Sequence, residues 1–306
     1  MDIYFCDHFV LPLPEGHRFP MQKYARLRQR LISSRLPSRP KLRVPPAATD
    51  AQLQLAHDPD YVRRVADGTL TRQEVRRIGF PWSQEMVERS RRSTGATLAG
   101  ARAALKSGAS VNLAGGTHHA GFDHGEGYCV FNDAAVTIRT LQDEGHVRRV
   151  VVMDCDVHQG NGTAAIFAHD PEVMTISLHG ARNFPFRKQK SDLDVDLPDG
   201  TTDEDYLSAL RPAMAAALHH RPELAIFVAG VDPFVGDALG RLALSKAGLL
   251  ARDRIVLEGF WQAGVPVVTV MAGGYAPEVD TIVDLHFQTV CTALALGVAQ
   301  PSRTMR

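Results

Sequence analysis

The sequence predicts an α/β protein: a single domain over residues 1–306, built on an open parallel sheet with helices on both faces. Three observations predict it. Short apolar or β-branched runs recur along the chain, helical patterning fills the gaps, and the runs stop at clusters of Gly, His or Asp. The runs cover residues 3–6, 111–114, 149–153, 173–178, 224–229 and 265–271; each fits a buried strand and is too short for an isolated helix. Helical patterns cover 22–33, 84–107, 132–144, 162–168, 202–219, 245–263 and 279–296. Pro212 falls inside the fifth, so that helix is expected to kink or start anew. No internal repeat, low-complexity tract or Gly/Ser linker interrupts the pattern, and the proline-rich stretch 36–46 comes too early to separate two large domains.

Composition narrows the function. The 306 residues hold 34 basic and 34 acidic side chains, so there is no global charge with which to bind nucleic acid. Within that balance, residues 1–110 carry 19 basic and 10 acidic side chains, which reads as solvated arginine-rich helices, with an anionic binding face as the alternative. A hydrophobic content of 44% excludes a disordered or collagen-like chain. The cysteines, Cys6, Cys129, Cys155 and Cys291, are scattered without a CxxC pair, which argues against a disulfide framework or a thiolate zinc site. The first residues carry acids where a signal peptide carries lysine or arginine. No stretch approaches the roughly 18 consecutive apolar residues of a membrane span. A soluble chain in a reducing cytoplasm, without membrane contact, is expected.

In open parallel sheets ligands bind beyond the carboxyl ends of the strands, so the residues just after each run carry the chemistry. After 111–114 come Gly115-Gly116-Thr117-His118-His119, where a glycine turn lets both histidines face one pocket. After 149–153 come Asp154, Asp156 and His158. Two-residue spacing at a strand end points them the same way, and Asp156 with His158 suits a divalent ion. Asp154 lies deeper and needs a cation or a histidine N–H as partner. Asp232, after 224–229, completes a set of two carboxylates and one imidazole, which leaves a coordination position open as catalytic zinc sites do. After 265–271, Gly273 and Gly274 precede Tyr275, whose phenol O–H can donate to an oxyanion or simply pack. Ser177 and His179 end another run as polar residues without an assigned role.

Taken in order, these segments, with Gly127-Tyr128-Cys129-Val130-Phe131-Asn132-Asp133 and Gln159-Gly160-Asn161-Gly162, resemble the arginase–deacetylase fold and, within it, the zinc-dependent histone deacetylases and their bacterial relatives. The resemblance covers nearly the whole chain. It implies Asp156, His158 and Asp232 as metal ligands for Zn2+, with Fe2+ an alternative. It implies His118 and His119 as the paired active-site histidines and Tyr275 as the phenol that polarises the substrate carbonyl. It also implies a potassium site at Asp154, Ser177 and Leu178 with nearby backbone carbonyls, and a substrate tunnel walled by Tyr128 and Phe184 beside Gly127 and Leu239. Asn161 stands where class I enzymes place an Asp, so His119 is expected to stay neutral and act as base. That residue and the compact length look most like class IV enzymes. The binuclear manganese pattern of arginases needs carboxylates where this chain has Gly160 and Phe234.

The activity so implied is hydrolytic removal of acetyl or longer acyl groups from the ε-amine of lysine in proteins or peptides. The same residues leave open deacetylation of acetylpolyamines or another small acetylated amine, or a non-catalytic relative that binds acyl-lysine. Oligomeric state is not visible in the sequence.

Overall fold

The computed structural model describes residues 1–36 and 39–298. Eight strands, β1 (Asp2–Tyr4), β2 (Lys41–Arg43), β3 (Ala109–Asn112), β4 (Val150–Asp154), β5 (Val173–Gly180), β6 (Leu193–Leu197), β7 (Leu224–Val228) and β8 (Val267–Val270), form one sheet. All pair in parallel, in the order β2-β1-β3-β8-β7-β4-β5-β6. The predicted open parallel sheet with helices on both faces is therefore present.

Alternation along the strands explains why both faces are covered. Val151 and Met153 of β4, with Ala225 and Phe227 of β7, pack into one apolar cluster. Val150, Val152, Leu224, Ile226 and Val228 pack into another on the opposite face. The first cluster is closed by α1 (Gln22–Ser33), α8 (Asp203–His219), α9 (Lys246–Gln262) and α10 (Val279–Val298). The second is closed by α2 (Asp50–Gln54), α3 (Pro59–Asp67), α5 (Gln84–Ser107), α6 (Asp133–Asp143) and α7 (Asn161–Phe167), with Ile78 from the end of α4 (Arg72–Ile78). Over Val279–Leu296, α10 is long and apolar enough by composition to cross a membrane, yet it packs its buried Ile282, Leu285 and Val290 into the first cluster beside α1 and α9.

Three expectations need correction. α8 does not start anew at Pro212 but continues through it, because the carbonyl that loses its donor belongs to Ser208, an exposed residue that water can reach. The proline-rich stretch contains the short edge strand β2, and a second unpredicted strand, β6, forms the other edge. Asp156 and His158 lie beyond the end of β4 rather than on it, so the loop geometry, and not strand alternation, directs them.

Candidate metal centre and pocket

β3, β8, β7 and β4 are consecutive neighbours in the sheet, so the loops at their carboxyl ends meet. They deliver His118 and His119, Gly273 and Tyr275, Asp232, and Asp156 and His158 respectively. One ligand atom from each of Asp156, His158 and Asp232 lies within 4.8 Å of the others, and all three residues are buried. His158 Nδ1 stands 2.9 Å from Asp156 Oδ1 and 3.2 Å from Asp232 Oδ2. The second contact is out of line for a hydrogen bond, so Asp232 Oδ2 is a buried oxygen without a donor. Its other oxygen accepts from Val157 N at 2.9 Å. Burial first, and then the neighbouring Asp156 charge, push the Asp232 carboxyl above its ordinary range, against the opposing pull of His158. Two buried carboxylates turned toward one imidazole repel each other unless positive charge sits among them, which is the condition a divalent cation meets.

Glycine makes this approach possible. A Cβ on Gly273 would lie 1.9 Å from Asp232 Oδ2 and 2.6 Å from Asp156 Oδ2, so no other residue fits between the carboxylates and β8. Its N–H donates to Asp156 Oδ2 at 2.8 Å.

The two histidines are tuned apart. His118 Nδ1 is 2.6 Å from Asp154 Oδ2. Burial pulls the His118 imidazolium down, but the charge and hydrogen bond of Asp154, helped by Asp156, outweigh it and hold the ring up at about 9. His119 Nδ1 is 2.6 Å from Asn161 Oδ1. Burial and then the charges of His118 and His158 hold its pKa well below the ordinary value, against the opposing effect of Asn161. Asn161 Nδ2 donates to Glu126 Oε2 at 3.1 Å, which turns the amide oxygen toward His119. With Nδ1–H donated to that oxygen, His119 presents Nε2 as an acceptor.

A pocket of about 590 Å³ leads to these groups and is lined by Gly127, Tyr128, Phe184, Leu239, His118, His119, Asp156, His158 and Tyr275. Gly127 is required there: it has φ +56°, and a Cβ would meet His119 Cδ2 at 2.7 Å and Phe184 Cε1 at 3.2 Å. Phe184 stands edge-on to His119 with centroids 4.9 Å apart, and Tyr128 lies 6.2 Å from the Tyr275 ring. The Tyr275 phenol is kept protonated by burial and by Asp156 and Asp232. Asp154 and Ser177 are register partners on β4 and β5, with Leu178 next along, so the proposed potassium residues are also brought together. Ser177 Oγ pairs with His179 Nδ1 at 2.9 Å.

Three supporting residues escaped the sequence reading. Glu126 orients Asn161. Asp237 accepts from Tyr275 N at 2.6 Å, Leu239 N at 2.8 Å and Gly240 N at 2.9 Å, tying the phenol loop to a pocket wall. Asp133 accepts from Gly116 N at 3.0 Å and Thr117 N at 2.7 Å, which fixes the turn that carries the histidines. Only Asp133 had a signal, as part of a quoted motif without an assigned role; Glu126 and Asp237 sit in no pattern that spacing could reveal.

A buried triad of two carboxylates and an imidazole at the carboxyl ends of a parallel sheet, flanked by two differently tuned histidines, is the arrangement of a metal-dependent hydrolase. Residues 17–290 match the family described as the histone deacetylase domain. The chain is 44% identical over 285 residues, 93% of its length and 95% of the relative's, to an uncharacterized protein of Picosynechococcus sp.. It is 31% identical to the histone deacetylase-like amidohydrolase of Pseudomonas aeruginosa, covering 87% of this chain and 74% of that one. A histone deacetylase homolog from Aquifex aeolicus superposes with a TM-score of 0.79 at 22% identity, over 100% of this chain and 86% of its own. The chain belongs to the histone deacetylase family of hydrolases.

Proposed function

We infer that the protein removes acetyl or longer acyl groups from the ε-amine of lysine in peptides or proteins. The observation that carries this reading is the donorless Asp232 Oδ2, which converges with Asp156 and His158, two residues that line a pocket walled by Tyr128 and Phe184. Zinc, or iron(II), held by Asp156, His158 and Asp232 would supply a Lewis acid that polarises the amide carbonyl and makes water more acidic. Asp154 and Ser177, with Leu178, would hold a potassium ion.

The chain's own residues do the rest. Tyr128 and Phe184 admit the straight stem of an acylated lysine, and Gly127 leaves it room beside His119. His119, neutral and oriented through Asn161, takes the proton of the attacking water at Nε2. His118, kept cationic by Asp154, donates to the leaving amine. Tyr275 donates its phenol proton in a hydrogen bond to the oxyanion that forms on the former carbonyl, a contribution of about 3 kcal/mol.

Hydrolysis of fluorogenic acyl-lysine peptides bearing acetyl, trifluoroacetyl and long-chain groups, beside N-acetylputrescine, tests the reading. Turnover of a lysine substrate that a chelator or a hydroxamate abolishes is expected. Turnover of the polyamine alone, or silence on every substrate with metal bound, overturns it. Tyr275→Phe is expected to keep its metal while kcat falls about 10²- to 10³-fold; full turnover by that variant removes the phenol from the mechanism.

A further inference from the structure

The mouth of the pocket carries charge that the hydrolytic chemistry does not use. Arg76, Arg77, Arg182 and Arg241 all line it, and all four residues are exposed. Glu126 pairs with Arg77 at 3.1 Å while its other oxygen holds Asn161. Asp199 Oδ2 is shared between Arg182 at 3.5 Å and Arg241 at 3.3 Å. Arg76 pairs with no carboxylate among the described residues. Against four guanidinium groups thus stand Glu126 and Asp199 in ion pairs, with Asp123 in electrostatic reach of Arg77, and positive charge is left in excess at the opening.

The backbone that carries these arginines is tied to the pocket walls on both sides. Arg77 and Ile78 accept at their backbone oxygens from Gly127 N at 3.0 Å and Tyr128 N at 2.7 Å. Across the opening, buried Asn183 accepts from Arg241 N at 3.2 Å and donates to Leu239 O at 2.8 Å, with Arg182 preceding it and Phe184 following. Phe186, 87% exposed, stands edge-on to Phe184 and offers an apolar ledge beside the arginines. Arg76 and Arg77, part of the arginine excess of residues 1–110, thus line the pocket while staying exposed.

We propose that this rim selects acidic segments: its ligand is an acyl-lysine peptide with Asp or Glu flanking the modified residue. The proposal rests on the deacylase reading of the pocket. A lysine side chain that reaches down to Asp156 and His158 leaves its neighbouring residues at the rim, within the roughly 8 Å over which charge acts at physiological salt. An acylpolyamine brings protonated amines to the same place and is repelled. A nucleic acid needs a longer positive track, and here Glu126 and Asp199 interrupt the arginines on a chain of zero formal charge.

The test uses the metal-reconstituted full chain and three fluorescein-labelled peptides that share one acyl-lysine and carry Glu, Gln or Lys on both sides of it. Affinity by anisotropy and kcat/KM by turnover are read at about 50 mM and about 500 mM salt. At low salt the Glu peptide is expected to bind about tenfold tighter than the Gln peptide and the Lys peptide weaker still, with the order largely erased at high salt. Arg182→Gln combined with Arg241→Gln reduces the preference to about threefold, whereas Arg211→Gln, an exposed arginine of α8 outside the pocket, preserves it. Equal affinities, or a preference for Lys, overturn the proposal. So does a single-stranded oligonucleotide that displaces the Glu peptide at lower concentration than an unmodified Glu peptide of equal charge. Turnover of all three peptides without ranking removes the rim's role and leaves the deacylase; ranked affinities without turnover do the reverse.

Discussion

Two buried charge clusters lie back to back beneath the strand ends, and they are completed differently. In the first, Arg252 of α9 donates to Asp253 Oδ1 at 2.9 and 2.7 Å and to the carbonyls of Cys155 and Gly230; Asp253 Oδ2 accepts from Thr289 at 2.6 Å. Every charge has a partner inside the protein. In the second, Asp156, His158 and Asp232 leave a carboxylate oxygen without a donor. Cys155 and Gly230 flank the loops that carry Asp156 and Asp232, so the closed cluster braces the open one from behind. Burial alone therefore does not mark a functional charge; what sets the second cluster apart is that two carboxylates and an imidazole converge with one oxygen left without a donor.

The largest effect should separate the clusters cleanly. Asp232→Ala is expected to lose bound metal and at least about 10³-fold in kcat/KM, yet to lower the metal-free protein's stability less than Asp253→Ala, because burial and the Asp156 charge already disfavour the Asp232 carboxylate. Metal analysis, turnover and urea unfolding of the chelated proteins measure this. An Asp232→Ala variant that retains stoichiometric metal would break the comparison.

Asp253→Ala leaves the Arg252 guanidinium buried without its carboxylate, for an expected loss of about 3–5 kcal/mol in unfolding free energy. A loss below about 1 kcal/mol would mean that the brace is dispensable.

His57 sharpens the point with a buried, closed and uncharged group. Its Nδ1 lies 2.9 Å from Gly121 O, its Nε2 accepts from Asn132 N at 2.9 Å, and burial depresses its pKa to about 4. Since the unfolded chain protonates near the ordinary value of about 6.5, stability falls as pH drops from there toward 4, by roughly 3 kcal/mol in all, and is unaffected above that window. Urea midpoints of wild type and His57→Gln across pH 4–8 should show the variant with a slope shallower by about 1.4 kcal/mol per pH unit within the window. Parallel curves would contradict it.

The smallest effect belongs to the opposite end of the sheet. Arg148, largely exposed, meets the half-buried Glu172 at 2.7 Å, and Arg148→Gln should leave the unfolding midpoint nearly unchanged in calorimetry.

Much of this organisation is legible in the chain. Central strands read clearly because burial on both faces demands continuous apolar runs, as in β4 and β7. The edge strands β2 (Lys-Leu-Arg) and β6 (Leu-Asp-Val-Asp-Leu) did not, because an edge tolerates charge. The short helices α2 and α4 are too brief for periodicity. Their signal lay in the capping boxes Thr49 with Gln52 and Thr71 with Glu74.

The sequence alone determined the chemical inventory: which carboxylates, imidazoles and phenol follow which strands, and where glycine permits close approach. It did so because strand ends and glycine turns impose local rules on residue type. Only the tertiary structure decided that β3, β8, β7 and β4 stand side by side, so that Asp232 faces His158 across 74 positions of sequence. Only it joined Glu126 to Asn161 and gathered four arginines from three segments around one opening. Such encounters depend on strand order and loop path, set by the packing of the whole chain, and no local spacing encodes them.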